Sequence, residues 1–393
     1  MQTNKKEKNI PVNRIAIYYF HPLDFTFTSA QTIQVIKDYT YLSKLGFPVF
    51  LYGLYKNKEH LREILNYIQN SQVFIEYKQQ NILSKILRTS SFFLKKITLS
   101  KYPYKLIVIR DVGYKKLEKI FLFKKIFKQN IRLLIEFHEN AFPHLTKKNL
   151  KLKSKFKNAI QKANGIIFTN YSQVVLYRKE FGDVPNTFII LPNGVDIEKF
   201  SNIRKNPNQN HKILTYTGQF SSWKNIELMF AALSVLPQNI ILKIAGGKGD
   251  NISRKLIHDL AKKYCLESRV NYLGYIPHSK IPNVLNCSDV LLLPLGNNVQ
   301  SKFLTCPIKL FEYMSTGIPI VSVNYPSISM IAGECIFLSE NNPTSFANAI
   351  KEALYNKVAD HKAKKAKEIA KQYSYENRAK KYSEFIQMLF QNE

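Results

Sequence analysis

The sequence is poor in cysteine: only Cys265, Cys287, Cys306 and Cys335 occur among 393 residues. They are scattered through the C-terminal half and form no CxxC pair, which excludes a zinc ribbon or disulfide framework and predicts reduced structural thiols. No run of about 18 apolar residues occurs, so no transmembrane helix is expected. The opening stretch MQTNKKEKNIPVNRIAIYYF is basic but has no sustained apolar core and no small-residue cleavage site, so it does not read as a signal peptide. These absences predict a cytoplasmic protein, with peripheral attachment to the inner face of the plasma membrane left open. Internal repeats are absent as well. Acidic residues are scarce, 28 against 58 lysines and arginines, for a formal charge of +30.

The excess of positive charge is uneven. Residues 1–200 hold 34 Lys+Arg and 14 Asp+Glu, and residues 78–162 hold 22 and 4. So basic a field attracts nucleic acid, anionic lipid or phosphorylated substrates. Coding bias, which would also enrich Ile and Asn, accounts for part of the lysine excess but not for its concentration in one segment. Within it, NILSKILRTSSFFLKKITLS (81–100) spaces Ile82, Leu83, Ile86, Leu87, Phe93, Leu94 and Ile97 at near-helical intervals, with Lys85, Arg88, Lys95 and Lys96 between them. A similar stretch covers 114–127. Basic amphipathic helices of this kind can lie on anionic membranes, although a helix packing its apolar face on a sheet has the same pattern.

The hydrophobic pattern predicts an α/β protein. Short apolar strands are expected at 14–20, 48–52, 106–109, 133–137, 165–169 and 187–191, with a helix at 29–45 stopped by Gly46 and further helical patterns between them. After the polar stretch SNIRKNPNQNH (201–211), which reads as a linker, the alternation restarts. Strands are expected at 212–217, 240–245, 270–272, 290–293 and 318–323, and helices at 225–234, 253–264, 280–286 and 309–315. Short apolar strands alternating with helices indicate parallel βαβ units, and such sheets bind ligands at their carboxyl ends. Two such halves facing across a cleft make that cleft the default place for a site.

The most informative segment is DVLLLPLGNNVQSKFLTCPIKLFEYMSTGIPIVSV (289–323). An apolar strand ends at Pro294, a polar loop follows, and Thr305-Cys306-Pro307 opens a helix with Pro307 in its first turn. The free N–H groups and dipole of a helix start suit a phosphate, and Lys309 adds a positive charge there. Glu312, three residues on along the same face, can accept both hydroxyls of a ribose. As isolated features, Lys309 and Glu312 read as a surface pair, Lys224 as an exposed lysine, His138 as a satisfied core histidine, and the Gly246-Gly247 pair as a tight turn.

Taken whole, C-P-I-K-L-F-E-Y-M-S-T-G-I-P-I-V resembles the donor-site signature of the GT4-type retaining glycosyltransferases (glycosyl transferases group 1). Other segments agree in order: Leu191-Pro-Asn-Gly-Val-Asp196 with Phe200, Tyr216-Thr-Gly-Gln-Phe-Ser-Ser-Trp-Lys-Asn225, Ile244-Ala-Gly-Gly247, Tyr272-Leu-Gly-Tyr275 and Ala163-Asn-Gly-Ile-Ile-Phe-Thr169. The resemblance implies a GT-B fold of two Rossmann-like doubly wound domains facing across a cleft. An N-terminal acceptor domain (1–200) and a nucleotide-sugar domain (201–372) would be followed by a C-terminal helix (373–393) crossing back to the first. It implies that Lys224 holds the donor diphosphate, Glu312 the ribose, and that the backbone at Tyr275 and Ile276 faces the base. His138, in Ile135-Glu-Phe-His-Glu139, is implied near the reacting sugar. Gly218, Gln219, Gly246, Pro307, Ile308 and Lys309 complete the expected donor site. Three departures stand out. Gln219 occupies a position usually held by Arg, with Lys309 as a candidate substitute. Leu304 stands where the family has a first Glu. And His21-Pro-Leu-Asp-Phe-Thr-Phe-Thr28 replaces the usual Gly-Gly after the first strand.

The reaction so implied is transfer of a sugar from a nucleotide-sugar to a glycan or lipid-linked acceptor, with retention of configuration, in bacterial surface polysaccharide or lipopolysaccharide synthesis. No cofactor or metal is expected, since the donor half has no Asp-x-Asp at a strand end. Two other readings compete. The charge suggests a nucleic-acid-binding protein, but no recognisable binding module accompanies it. A GT-B sugar-nucleotide epimerase or phosphorylase would share the donor site.

Overall fold

The computed structural model describes residues 10–24, 30–54, 73–75, 97, 99–110, 130–138, 142, 151–184, 187–203 and 210–391. The chain divides into two compact units. The first comprises Met1–Thr169, Gln173–Pro192 and Tyr375–Glu393, and the second Asn170–Ser172 with Asn193–Ser374.

In the first unit seven strands make one sheet: β1 (Ile15–Asp24), β2 (Val49–Leu54), β3 (Val73–Ile75), β4 (Tyr104–Arg110), β5 (Ile131–Phe137), β6 (Gly165–Phe168) and β7 (Thr187–Ile190). Their order is β3-β2-β1-β4-β5-β6-β7, and every pairing is parallel. The run Leu106-Ile-Val-Ile109 is buried throughout, because helices on both faces of a parallel sheet leave no wet side. The C-terminal helix Tyr375–Gln391 packs in this unit. Tyr382, Phe385, Ile386, Leu389 and Phe390 lie at helical spacing on one stripe, buried with Ile15, Ile17, Val35 and Tyr39. Its Arg378 grips Asp38 of the helix Ala30–Lys44 through two bonds (Nε to Oδ1 2.7 Å, Nη2 to Oδ2 3.1 Å), and its Nη1 donates to the carbonyls of Leu191 and Pro192. All three partners are in the same unit.

The second unit repeats the topology with six parallel strands: β8 (Lys212–Gly218), β9 (Ile240–Gly246), β10 (Val270–Tyr272), β11 (Val290–Leu293), β12 (Ile320–Val323) and β13 (Phe337–Ser339). Their order, β10-β9-β8-β11-β12-β13, is the doubly wound arrangement whose strand order reverses between β8 and β11. Glycines Gly218 and Gly246 end the two paired strands opposite one another. A Cβ on Gly246 would lie 1.9 Å from the carbonyl oxygen of Gly218, so the two strand ends approach as closely as they do only without a side chain there.

The boundary expected at residue 200 falls earlier, between Pro192 and Asn193. Asn193 donates through Nδ2 to the carbonyl of Cys306, the N–H of Val195 donates to the carbonyl of Tyr373, and Phe200 is fully buried in the second core. Residues 193–201 are therefore structural parts of the second unit, and the short helix Ile197–Ser201 belongs to it. Of the expected linker, 204–209 lie outside the described residues, as do most of the basic stretch 81–100 and all of 114–127.

Candidate donor site

The site is built at the switch point of the second unit. The loop after β8 carries Lys224, and the loop after β11 leads into the helix Ile308–Thr316, which carries Lys309 and Glu312. The three backbone elements are tied together. The carbonyl of Trp223 accepts from the N–H of Gly296 (3.0 Å), Asn298 Nδ2 (2.9 Å) and Ser301 Oγ (2.7 Å), which locks the two loops to each other. Tyr313 is buried beneath the helix, and its hydroxyl accepts from the N–H of Thr217 (2.9 Å). That bond sets the helix against the last residues of β8.

The helix starts one residue before the expected 309, with Pro307 just ahead of its first turn. Pro307 is the N-cap, with φ −72° and ψ 122°, and Ile308 is the first helical residue. The upstream carbonyls are taken: Thr305 accepts from Asn170 Nδ2 (2.8 Å) and Cys306 from Asn193 Nδ2 (2.5 Å), while the N–H of Leu310 reaches back to Pro307 (2.9 Å). Leu310, Phe311 and Met314 bury the inward face, and Gly317 ends the helix in the left-handed region at φ 73°.

Lys309 and Lys224 converge on Tyr216 and Gly218. The Lys309 ammonium lies 4.9 Å over the Tyr216 ring, and a Cβ on Gly218 would come within 1.9 Å of its Nζ. Gly218 is thus needed for the lysine to occupy its place. Lys224 Nζ donates to the Gln219 carbonyl (2.8 Å) and to the Tyr216 hydroxyl (3.3 Å), and lies 4.9 Å from the centroid of the Trp223 ring. Burial pushes Lys309 down to about 8, with the charge of Glu312 working in the other direction. Two lysines packed this closely beside a helix start form a receptacle for a polyanion.

Glu312 is buried, and burial alone would raise its carboxyl. His278, then Lys309 and Lys199, outweigh that and hold it below the usual carboxylate value. One oxygen meets His278 Nε2 at 2.5 Å. The sequence reading missed His278. Its only local signal was Pro277 before a short helix start, two residues beyond the pair Tyr275 and Ile276. Tyr275 is exposed, and Ile276 packs on the second core. Leu304, where a carboxylate would be expected, is fully buried and supplies no polar group.

The second unit thus brings together Lys224, Lys309, Glu312, Gly218 and Gly246. His138 is in the first unit, at the end of β5. It is buried, 3.6 Å from Glu136 Oε2, and burial together with Arg110 and Arg378 keeps its imidazole well below the usual histidine value. Glu136 in turn accepts from Tyr382 of the C-terminal helix (2.8 Å). No group of three His, Cys, Asp or Glu side chains suited to a metal occurs among the described residues.

The double sheet topology is that of the GT-B fold. It aligns over 95% of this chain and 99% of the other with the crystal structure of Anabaena HepE in complex with UDP and glucose, at TM-score 0.72 and 16% identity. Sucrose-phosphate synthase of Thermosynechococcus elongatus aligns over the same shares at TM-score 0.74 and 17% identity. Residues 198–373 match the family Glycosyl transferases group 1, so the second unit carries an enzyme domain of the glycosyltransferase class. Among curated relatives, the chain is 28% identical over 243 residues to UDP-Gal:alpha-D-GlcNAc-diphosphoundecaprenol alpha-1,3-galactosyltransferase of Escherichia coli, covering 56% of this chain and 59% of that protein. It is 23% identical over 240 residues to chitobiosyldiphosphodolichol beta-mannosyltransferase of Candida albicans, covering 53% and 50%. The matches span between half and three fifths of those relatives' length.

Proposed function

We propose that this protein is a retaining, GT4-type glycosyltransferase that moves a sugar from a nucleoside-diphosphate sugar to a lipid-linked glycan acceptor, in the synthesis of a bacterial surface polysaccharide. The observation that carries the reading is the pairing of Lys224 and Lys309 around Tyr216 and Gly218, with the buried carboxylate of Glu312 one helical turn from Lys309. The two ammonium groups and the start of the helix Ile308–Thr316 take the diphosphate, and Glu312 takes the ribose. As the sugar departs, charge grows on the diphosphate, and preorganised cations stabilise it more in the transition state than before it. Lys309 does the work of the arginine absent at Gln219. The first unit takes the acceptor, and His138, kept neutral by its surroundings, offers the sugar a hydrogen-bonding edge rather than a charge. The curated relatives act, by name, on diphosphoundecaprenol- and diphosphodolichol-linked sugars, which supports a lipid-linked acceptor.

The test is a thermal-shift panel of UDP-, GDP- and dTDP-sugars, followed by transfer of a labelled sugar into a lipid extract. A ligand at a hundred times its Kd stabilises by about 2.7 kcal/mol, which is readily read. No shift with any nucleotide-sugar sinks the reading. Tight, salt-sensitive DNA binding in its place would favour the nucleic-acid alternative.

A further inference from the structure

We propose that His278 is a positioning residue for Glu312, held by Lys199, and that the three side chains together set how strongly the site reads a nucleotide's ribose. The inference rests on the donor reading given above. Lys199, on the short helix Ile197–Ser201, places its Nζ 3.3 Å from His278 Nδ1. A lysine ammonium has only donors, so Nδ1 accepts. A neutral imidazole has one N–H, which is then on Nε2 and points at Glu312 Oε1, 2.5 Å away. The ring is further packed against Phe200, 6.0 Å between centroids, and Phe200 is itself fully buried.

The consequence is geometric. One oxygen of Glu312 is fixed by His278, and the other accepts no hydrogen bond from the described residues. A carboxylate buried among apolar helix residues turns about its side-chain bonds unless something holds it. Holding one oxygen presents the other in a single direction, so a ribose hydroxyl meets an acceptor already aimed. Preorganisation of this kind increases affinity by removing the ordering cost at the moment of binding. Lys199 selects the tautomer, a role like that of the partners behind a metal-bound or catalytic histidine. It also joins the segment just past the unit boundary, residues 197–201, to the ribose site. Neither Lys199 nor His278 is needed to fold the helix Ile308–Thr316, whose packing comes from Leu310, Phe311, Tyr313 and Met314.

The experiment measures binding of UDP and of 2′,3′-dideoxyuridine diphosphate by calorimetry to the full chain. The wild type is expected to prefer UDP. Glu312→Gln should abolish most of that preference. His278→Ala should weaken UDP about tenfold, a charge-assisted hydrogen bond's worth, and leave the dideoxy ligand nearly unchanged, so that the ratio collapses. His278→Gln, whose amide can donate to Glu312 and accept from Lys199, should restore the ratio, and Lys199→Met should lower it partway. Melting temperatures check that His278→Ala remains folded; His278→Leu, which keeps the bulk beside Phe200, repeats the measurement if it does not. An Ala or Leu variant as discriminating as the wild type, or a folded Gln variant no better than Ala, overturns the positioning role. If Glu312→Gln itself leaves both affinities unchanged, it is the ribose assignment that fails, and the two failures are thereby distinct.

Discussion

Glu312 and Lys309 are a turn apart on one helix yet are perturbed by different causes. Glu312 is buried but surrounded by His278, Lys309 and Lys199, so its carboxylate stays charged. Glu312→Gln should therefore raise the Kd for UDP by roughly ten- to a hundredfold, the worth of a charge-assisted hydrogen bond of about 1.5–3 kcal/mol, while leaving the melting temperature nearly unchanged. Equilibrium binding with a parallel melt checks it. Lys309 is the opposite case: burial brings it down to about 8. Its ammonium form is the one that attracts a diphosphate. UDP affinity should then be full only well below pH 8, and fall as pH rises through 8 to 10, by at most tenfold per unit. Lys309→Gln should bind more weakly at pH 7.5 and show no such decline. A wild-type affinity flat from pH 7.5 to 10 would remove Lys309 from the diphosphate. These residue types were legible in the sequence because an unbroken motif carried them. His278 was not, because 34 residues separate it from Glu312 and only folding brings the two side chains together.

At the scale of elements, the C-terminal helix Tyr375–Gln391 is both a hydrophobic stripe and a charged clamp. The stripe of Tyr382, Phe385, Ile386, Leu389 and Phe390 repeats at helical spacing. The clamp is the buried pair of Arg378 and Asp38, both nearly inaccessible. Removing one partner of such a pair strands the other's charge. Arg378→Met should accordingly destabilise the fold by about 3–5 kcal/mol in urea denaturation, whereas combining it with Asp38→Leu should recover much of the loss. Equal stability of Arg378→Met and wild type would mean that the pair contributes nothing. The donor helix shows how local signals and tertiary contacts divide the work. Pro307 and Gly317 mark its ends in sequence. Its direction is set by Tyr313 on Thr217, and its preceding loop by the carbonyls of Phe303, Thr305 and Cys306, which accept from Ser172, Asn170 and Asn193. Those partners lie over a hundred residues away in the chain.

For the whole molecule, the charge of +30 is the feature that the proposed donor site does not use up. A lipid-linked acceptor would bring the protein to an anionic surface, where each nearby Lys or Arg contributes about 1 kcal/mol. The protein should sediment with anionic vesicles at low salt and less so as the Debye length falls to about 8 Å at physiological ionic strength. Changing Lys85, Arg88, Lys95 and Lys96 to Gln should weaken this while sparing UDP binding; a quadruple variant that sediments like the wild type rejects the basic segment as the anchor. The metal-free reading predicts equal UDP affinity and sugar transfer in EDTA and in magnesium, and loss of either in EDTA with rescue by a divalent cation overturns it. The doubly wound halves could be read from the sequence alone, since buried parallel strands require short unbroken apolar runs, and so could the segment proposed to hold the donor, in which a helix start, a cation and a carboxylate stand at short spacing. Tertiary structure alone decided the unit boundary at 192/193, where hydrogen bonds and the burial of Phe200 outweigh the polar composition of 201–211. It also decided the depressed Lys309, the glycine seam at 218 and 246 and the Lys199–His278–Glu312 chain. Each of these depends on distances between residues remote in sequence, and burial and charge pairing take effect only once the chain has brought them together.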